Sequence, residues 1–111
     1  MRDFGTLADA GAVIVSGSQS HVPQAMAFDQ ESFIHYGLGN LFFDQMIYRN
    51  EFGQIVPGTR WEFLDRHVFY DGRYLGTELL TAILEDYARP RPMTDPERAA
   101  LLAQAFAASG W

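Results

Sequence analysis

The sequence contains no cysteine, which excludes a disulfide framework and any thiolate metal site and leaves the redox compartment open. Basic residues are few: 8 against 14 acidic ones, for a formal charge of -6, and they never form a run. Nucleic acid is a poor partner for such a surface. Long apolar runs are missing as well. The stretch Ala10 to Val15 is far too short to span a bilayer and follows Asp9 rather than a basic region, so the chain as it stands carries no export signal or membrane segment. What is present is 111 residues, 48% hydrophobic and 14% aromatic, enough for one modest core and too apolar for disorder.

The order of segments reads as α/β. "LADAG", Leu7 to Gly11, looks like the last turn of a helix closed by glycine, and "AVIVSG" follows as a short buried strand. Hardly enough residues precede Ala12 for a helix of ordinary length, so the chain is expected to begin inside a larger fold, with residues 1–111 forming a single partial domain. A polar turn then leads to "QAMAF" and "SFIHYGLGN", two apolar segments joined by the turn-like "DQE". The stretch from Asp44 to Arg60 shows no stable period and reads as a loop with at most a short helix. "WEFLDRHVFY" and "RYLGTELLTAILEDY" flank Asp71-Gly72, a strong hairpin signal. Leu75, Leu79 and Ile83 at a spacing of four keep a helix open for the second run. Beyond "ARPRPM", Thr94 and Glu97 make a capping box with Pro96 in the first turn. Leu101, Leu102, Ala105 and Phe106 share one face of the helix so defined, which closes near Gly110.

Chemistry concentrates in "VSGSQSHVPQ", Val15 to Gln24. A glycine leaving a strand permits a sharp turn, and His21, two residues after Gln19, presents an imidazole and an amide oxygen toward one bound ion or a polar substrate. The alternative is a hydrogen-bonded structural histidine. For His35 and His67, inside strand-like runs, that structural role is the expected one. In "YGLGN", Gly37 and Gly39 allow close backbone approach, and Asn40 has either a ligand or its own turn to bond. Phe42 and Phe43 read as core, Asp44 as a solvated or capping carboxylate rather than a cation ligand. Glu62, Asp65 and Glu78 read as one exposed face of the hairpin rather than an acid/base pair.

"LADAGAVIVSGSQSHVPQAMAF" followed by "FIHYGLGNLFFDQ" resembles the C-terminal part of the bacterial capsule-synthesis family CapA, the poly-γ-glutamate capsule proteins related to calcineurin-like metallophosphoesterases. Ala-Asp-Ala-Gly-Ala before the strand, Gly-Ser-x-x-His after it and Tyr-Gly-Leu-Gly-Asn beyond carry the likeness over Leu7 to Gln45. The closing hairpin, through "ARPRPM", is also similar. The resemblance implies an α/β sandwich whose loops hold two divalent ions, manganese or zinc with iron as a further option, bridged by an activated water. This chain is then an α+β piece of that sandwich, with a hairpin and a terminal helix.

By the same resemblance His21 and Gln19 are metal ligands, and Ser18 and Asn40 bind substrate, a phosphoester or a polyglutamate-related polymer. The family's turn usually reads Gly-Ser-His-Pro-His; here Gln19 replaces the first histidine and Ser20 the proline. The family's earlier Asp, His and Asn motifs do not occur in this chain, which implies a phosphoesterase that is inactive alone, with a single metal or none bound here and a missing N-terminal half or a second copy as its partner. Members are often found at the bacterial cell envelope. The competing expectation is a non-catalytic module that completes a partner's sheet. As a segment cut from a sheet, the chain is expected to be poorly soluble alone or to self-associate through the strand Ala12 to Gly17.

Overall fold

The structure, a computed structural model, describes residues 2–42, 49–54, 57–86 and 89–111. Helix α1 (Arg2–Asp9) leads into strand β1 (Ile14–Ser16), then β2 (Met26–Asp29) and β3 (Ser32–His35). A short 3-10 turn, Pro57–Arg60, precedes β4 (Trp61–Tyr70), β5 (Arg73–Glu85) and β6 (Arg89–Pro92), and helix α2 (Asp95–Ser109) ends the chain. The described residues form an α+β fold of two small sheets, ordered β1-β3-β2 and β4-β5-β6. The first is mixed, with β1 parallel and β2 antiparallel to β3; the second is antiparallel throughout.

Helix α1 stops where the glycine signal put it. The Gly11 N–H reaches the Ala8 carbonyl at 2.8 Å and the Ala12 N–H reaches that of Leu7 at 3.0 Å, with Gly11 at φ 98°. This paired closure satisfies carbonyls that the helix end would otherwise leave open. "DQE" makes the β2–β3 hairpin, and Asp71-Gly72 closes the β4–β5 hairpin with positive φ at both residues, the demand of the tight turn that matches strand twist.

The second run of that hairpin is strand, not helix. A spacing of four satisfies both periods, because residues i and i+4 also share a side of a strand. Pairing with β4 along ten residue pairs decides it. The three residues then grade from the exposed hairpin tip at Leu75 to the buried base at Ile83. Pro90 and Pro92 lie on β6, an edge strand, where a missing N–H is tolerated.

Helix α2 covers the space between the sheets. Leu101 and Ala105 are buried with Met26, Phe33 and Phe63, and Leu102 and Phe106 pack against that cluster. Its start is held by Glu97, whose Oε2 accepts the Thr94 N–H at 2.8 Å while both carboxylate oxygens accept the Arg91 guanidinium at 2.7 Å. These bonds hold the Glu97 carboxyl down at about 2. At the other end the Ser109 hydroxyl accepts the Met26 N–H at 2.8 Å, docking the helix on β2.

Two expectations about the hairpin's acidic residues fail. Glu78 is exposed and pairs with Arg66, but Glu62 is 1% exposed and the Asp65 side chain 3%. Strand alternation separates them: Phe63, Asp65 and His67 point toward the first sheet, and Glu62 points to the other side. Asp65 Oδ2 meets His35 Nδ1 at 2.7 Å in a pair that ties the two sheets. His35 is fully buried, with the Phe63 ring edge-on at 5.0 Å. His67 bonds Thr77 Oγ1 at 2.8 Å. Phe42 also departs from expectation: it is 71% exposed, because the chain has left the strand ladder before it. Phe43 and Asp44 lie outside the described residues.

Removing one member of a buried hydrogen-bonded pair strands the other. His35→Leu is expected to cost about 3–5 kcal/mol in a urea melt, and joint replacement of His35 and Asp65 by leucine is expected to cost less than that single change, since no buried carboxylate is then left alone.

Candidate functional site

The loops after β1 and β3 emerge at the carboxyl ends of two parallel strands, the position where α/β sheets gather ligands. Between β1 and β2 run Ser18, Gln19, Ser20 and His21; Asn40 follows β3. The two loops are pinned together. The Gln24 N–H bonds the Gly37 carbonyl at 2.8 Å, the Leu38 N–H bonds that of Gly17 at 3.3 Å, and Pro23 bridges Leu38. A side chain at Gly37 would run into the Ser20 hydroxyl and the Gln24 side chain, so glycine lets the two loops approach without displacing either. The Ser20 hydroxyl in turn donates to the Val22 carbonyl at 2.7 Å, shaping the turn that presents His21.

Gln19 and His21 both adopt left-handed backbone, at φ 73° and 58°. This conformation costs an L-residue roughly 1–2 kcal/mol, and two such residues in one four-residue turn mark it as a place where geometry is held against local preference. Ser18 and Gln19 are exposed, while His21 is half-buried. Asn40 is 5% exposed and turned inward, its Oδ1 at 2.9 Å from His21 Nδ1. Its amide nitrogen donates to the Thr59 carbonyl at 2.8 Å and to the His21 carbonyl at 3.2 Å. Histidine, asparagine and threonine thus come from three loops: one after β1, one after β3 and the 3-10 turn before β4.

Of the residues singled out from sequence, His21 and Asn40 meet directly, and Ser18 and Gln19 stand beside them at the solvent side. Among the described residues no three His, Asp or Glu side chains converge as a metal centre would require. An oxygen amide at Gln19 and an imidazole at His21 are chemically suited to a divalent cation that takes mixed nitrogen and oxygen donors.

The sequence model of the family described as bacterial capsule synthesis protein PGA_cap matches residues 4–45, less than half of the chain. Over this segment the chain is similar to the capsule-synthesis family. The matched span takes in α1 from its third residue on, the first sheet, the Gly17–His21 turn and Asn40, and it ends before the second sheet begins. No curated protein matches the chain. No helix among the described residues is long and apolar enough to cross a membrane.

Sequence reading passed over Glu62 as a member of an exposed acidic face. In the fold it bridges Gly39, the neighbour of Asn40, and both its carboxylate oxygens are buried without a hydrogen-bond partner among the described residues. Desolvation pushes its carboxyl from 4.5 up to about 7. The only sequence signal was the β-strand alternation that separates Glu62 from Asp65; nothing in the pattern said which side of β4 would be covered.

Because the folded protein holds the Glu62 proton more tightly than the unfolded chain, the stabilisation is fullest below about 4.5 and is lost as pH rises through about 7. Stability in urea is expected to fall by about 1–3 kcal/mol across that window, after allowance for screening. Glu62→Gln, which is neutral at every pH, is expected to flatten the fall.

Proposed function

We propose that this chain contributes the late metal-binding turn of a CapA-like, metallophosphoesterase-type centre, associated with formation of a poly-γ-glutamate or related capsule polymer. The observation that carries the reading is the His21–Asn40 contact within the segment matched to the capsule-synthesis family, at the carboxyl ends of the parallel strands. In it His21 supplies an imidazole ligand, Gln19 an amide oxygen, and Ser18 a hydroxyl that donates to an oxyanion of the substrate. A bound manganese or zinc ion would polarise a phosphoryl oxygen and acidify a bound water. One imidazole and one amide are too few for a two-ion centre, so further ligands come from outside these residues, from a longer polypeptide or a second copy. On this reading the chain does not hydrolyse phosphoesters unaided.

A second reading has the chain as a non-catalytic module that completes a partner's sheet. It is supported by β1, an edge strand of the first sheet, which presents backbone groups of Ile14–Ser16 on its outer side.

Calorimetric titration separates the two. The metal reading expects Mn²⁺ or Zn²⁺ binding that is abolished in His21→Ala and at least about tenfold tighter in Gln19→His, since imidazole is the stronger ligand for such ions. Equal behaviour of all three proteins, with association that ignores metal in light scattering, would leave the interaction module as the better account.

A further inference from the structure

The asparagine that follows β3 carries more information than its contact with His21 alone. An amide presents one acceptor and two donor hydrogens, and its orientation is read from its neighbours. Two of the atoms around the Asn40 amide are carbonyl oxygens, those of Thr59 at 2.8 Å and His21 at 3.2 Å. A carbonyl only accepts, so the NH₂ end must face both. The opposite end, Oδ1, therefore faces His21 Nδ1 at 2.9 Å. An amide oxygen only accepts, so Nδ1 must carry the proton, and in the neutral ring the lone pair then belongs to Nε2.

From this geometry we infer that Asn40 is the positioning residue of the site: it locks His21 in the Nδ1–H tautomer and aims Nε2 as the ligating nitrogen. The inference deepens the metal reading above and rests on it for the identity of the ligand, though not for the tautomer. Histidines that bind metals almost always donate their other ring N–H to a fixed acceptor, which sets the ring's orientation and raises its basicity. Here the acceptor is itself immobilised. Asn40 is 5% exposed and bonded to the 3-10 turn at Thr59, which is 2% exposed. The second bond, back to the His21 carbonyl, fixes the residue's backbone as well as its ring. A left-handed φ of 58° at His21 is thus held from both ends of the same amide.

The test begins with the metal-free wild-type chain, labelled with ¹⁵N, in a two-bond proton–nitrogen correlation at about pH 8, where an ordinary imidazole is neutral. The expected spectrum shows His21 with a protonated Nδ1 and an unprotonated Nε2; a protonated Nε2 would overturn the inference without any variant. Asn40→Ala, checked for folding by circular dichroism, is expected to move His21 toward the Nε2–H form and to weaken Zn²⁺ binding about 10–100-fold. The wild-type tautomer persisting in folded Asn40→Ala, or Zn²⁺ affinity unchanged, would overturn it. If the tautomer shifts as expected but Zn²⁺ binds neither protein, Asn40 keeps its positioning role over the ring and the metal reading is what fails.

Discussion

The seam between the two sheets, where the chain after β3 passes against the start of β4, is the constraint on which the rest of the molecule depends. The Phe63 N–H bonds the Leu38 carbonyl at 2.7 Å, and Gly39 bridges Glu62. Gly39 stands at φ 95°, and a Cβ there would collide with the Trp61 carbonyl. Only glycine meets both demands. Through this residue the first sheet, within the segment matched to the capsule-synthesis family, is joined to a hairpin outside that match. The residue that follows, Asn40, is delivered to His21 and Thr59 by the same crossing.

Polar groups gather along the seam in a way that stability alone does not favour. His35 and Asp65 satisfy one another at 2.7 Å yet leave His35 Nε2 and Asp65 Oδ1 buried without partners among the described residues. Glu62 is buried with neither oxygen bonded among the described residues, and its carboxyl is pushed up to about 7 by desolvation. Apolar replacements of similar volume would spare the desolvation cost of such groups. The bonded pair fixes how the sheets face each other, because a hydrogen bond tolerates less sliding than a contact between leucines. Glu62 has no such partner among the described residues, and its burial favours the protonated carboxyl.

Much of this fold was legible in the sequence wherever a local rule had no rival. Gly11 and Gly110 end their helices, Thr94 and Glu97 start α2, and Asp71-Gly72 turns the hairpin, because each requirement is set by backbone geometry within a few residues. The hairpin's second strand was ambiguous for a definite reason: a spacing of four satisfies helix and strand alike. The polar core was not legible. Periodicity separates the two sides of β4 but cannot say that β3 and α2 cover one of them, so Asp65 read as solvent-facing until His35 was placed opposite. At the site, the turn at Gly17 to His21 and the asparagine of "YGLGN" stood out as residue types. Their meeting is a long-range fact, since 19 positions separate His21 from Asn40.

The turn itself shows a division of labour between strain and support. Two left-handed residues, Gln19 and His21, are costly in an exposed loop, and glycine at either place would remove the cost. Gln19 contributes no burial in return, for its side chain is exposed. The support lies at His21, where Asn40 grips both ring and carbonyl, and at Ser20, whose hydroxyl is bonded within the turn and packed beneath Gly37. A loop whose task was only to connect β1 to β2 would relax into cheaper backbone. What accompanies the strain is an exposed Gln19 and an imidazole whose Nδ1 is held against the Asn40 amide oxygen. Strain held in this way by named hydrogen bonds marks the carboxyl ends of β1 and β3 as the place where this chain keeps its geometry against local preference.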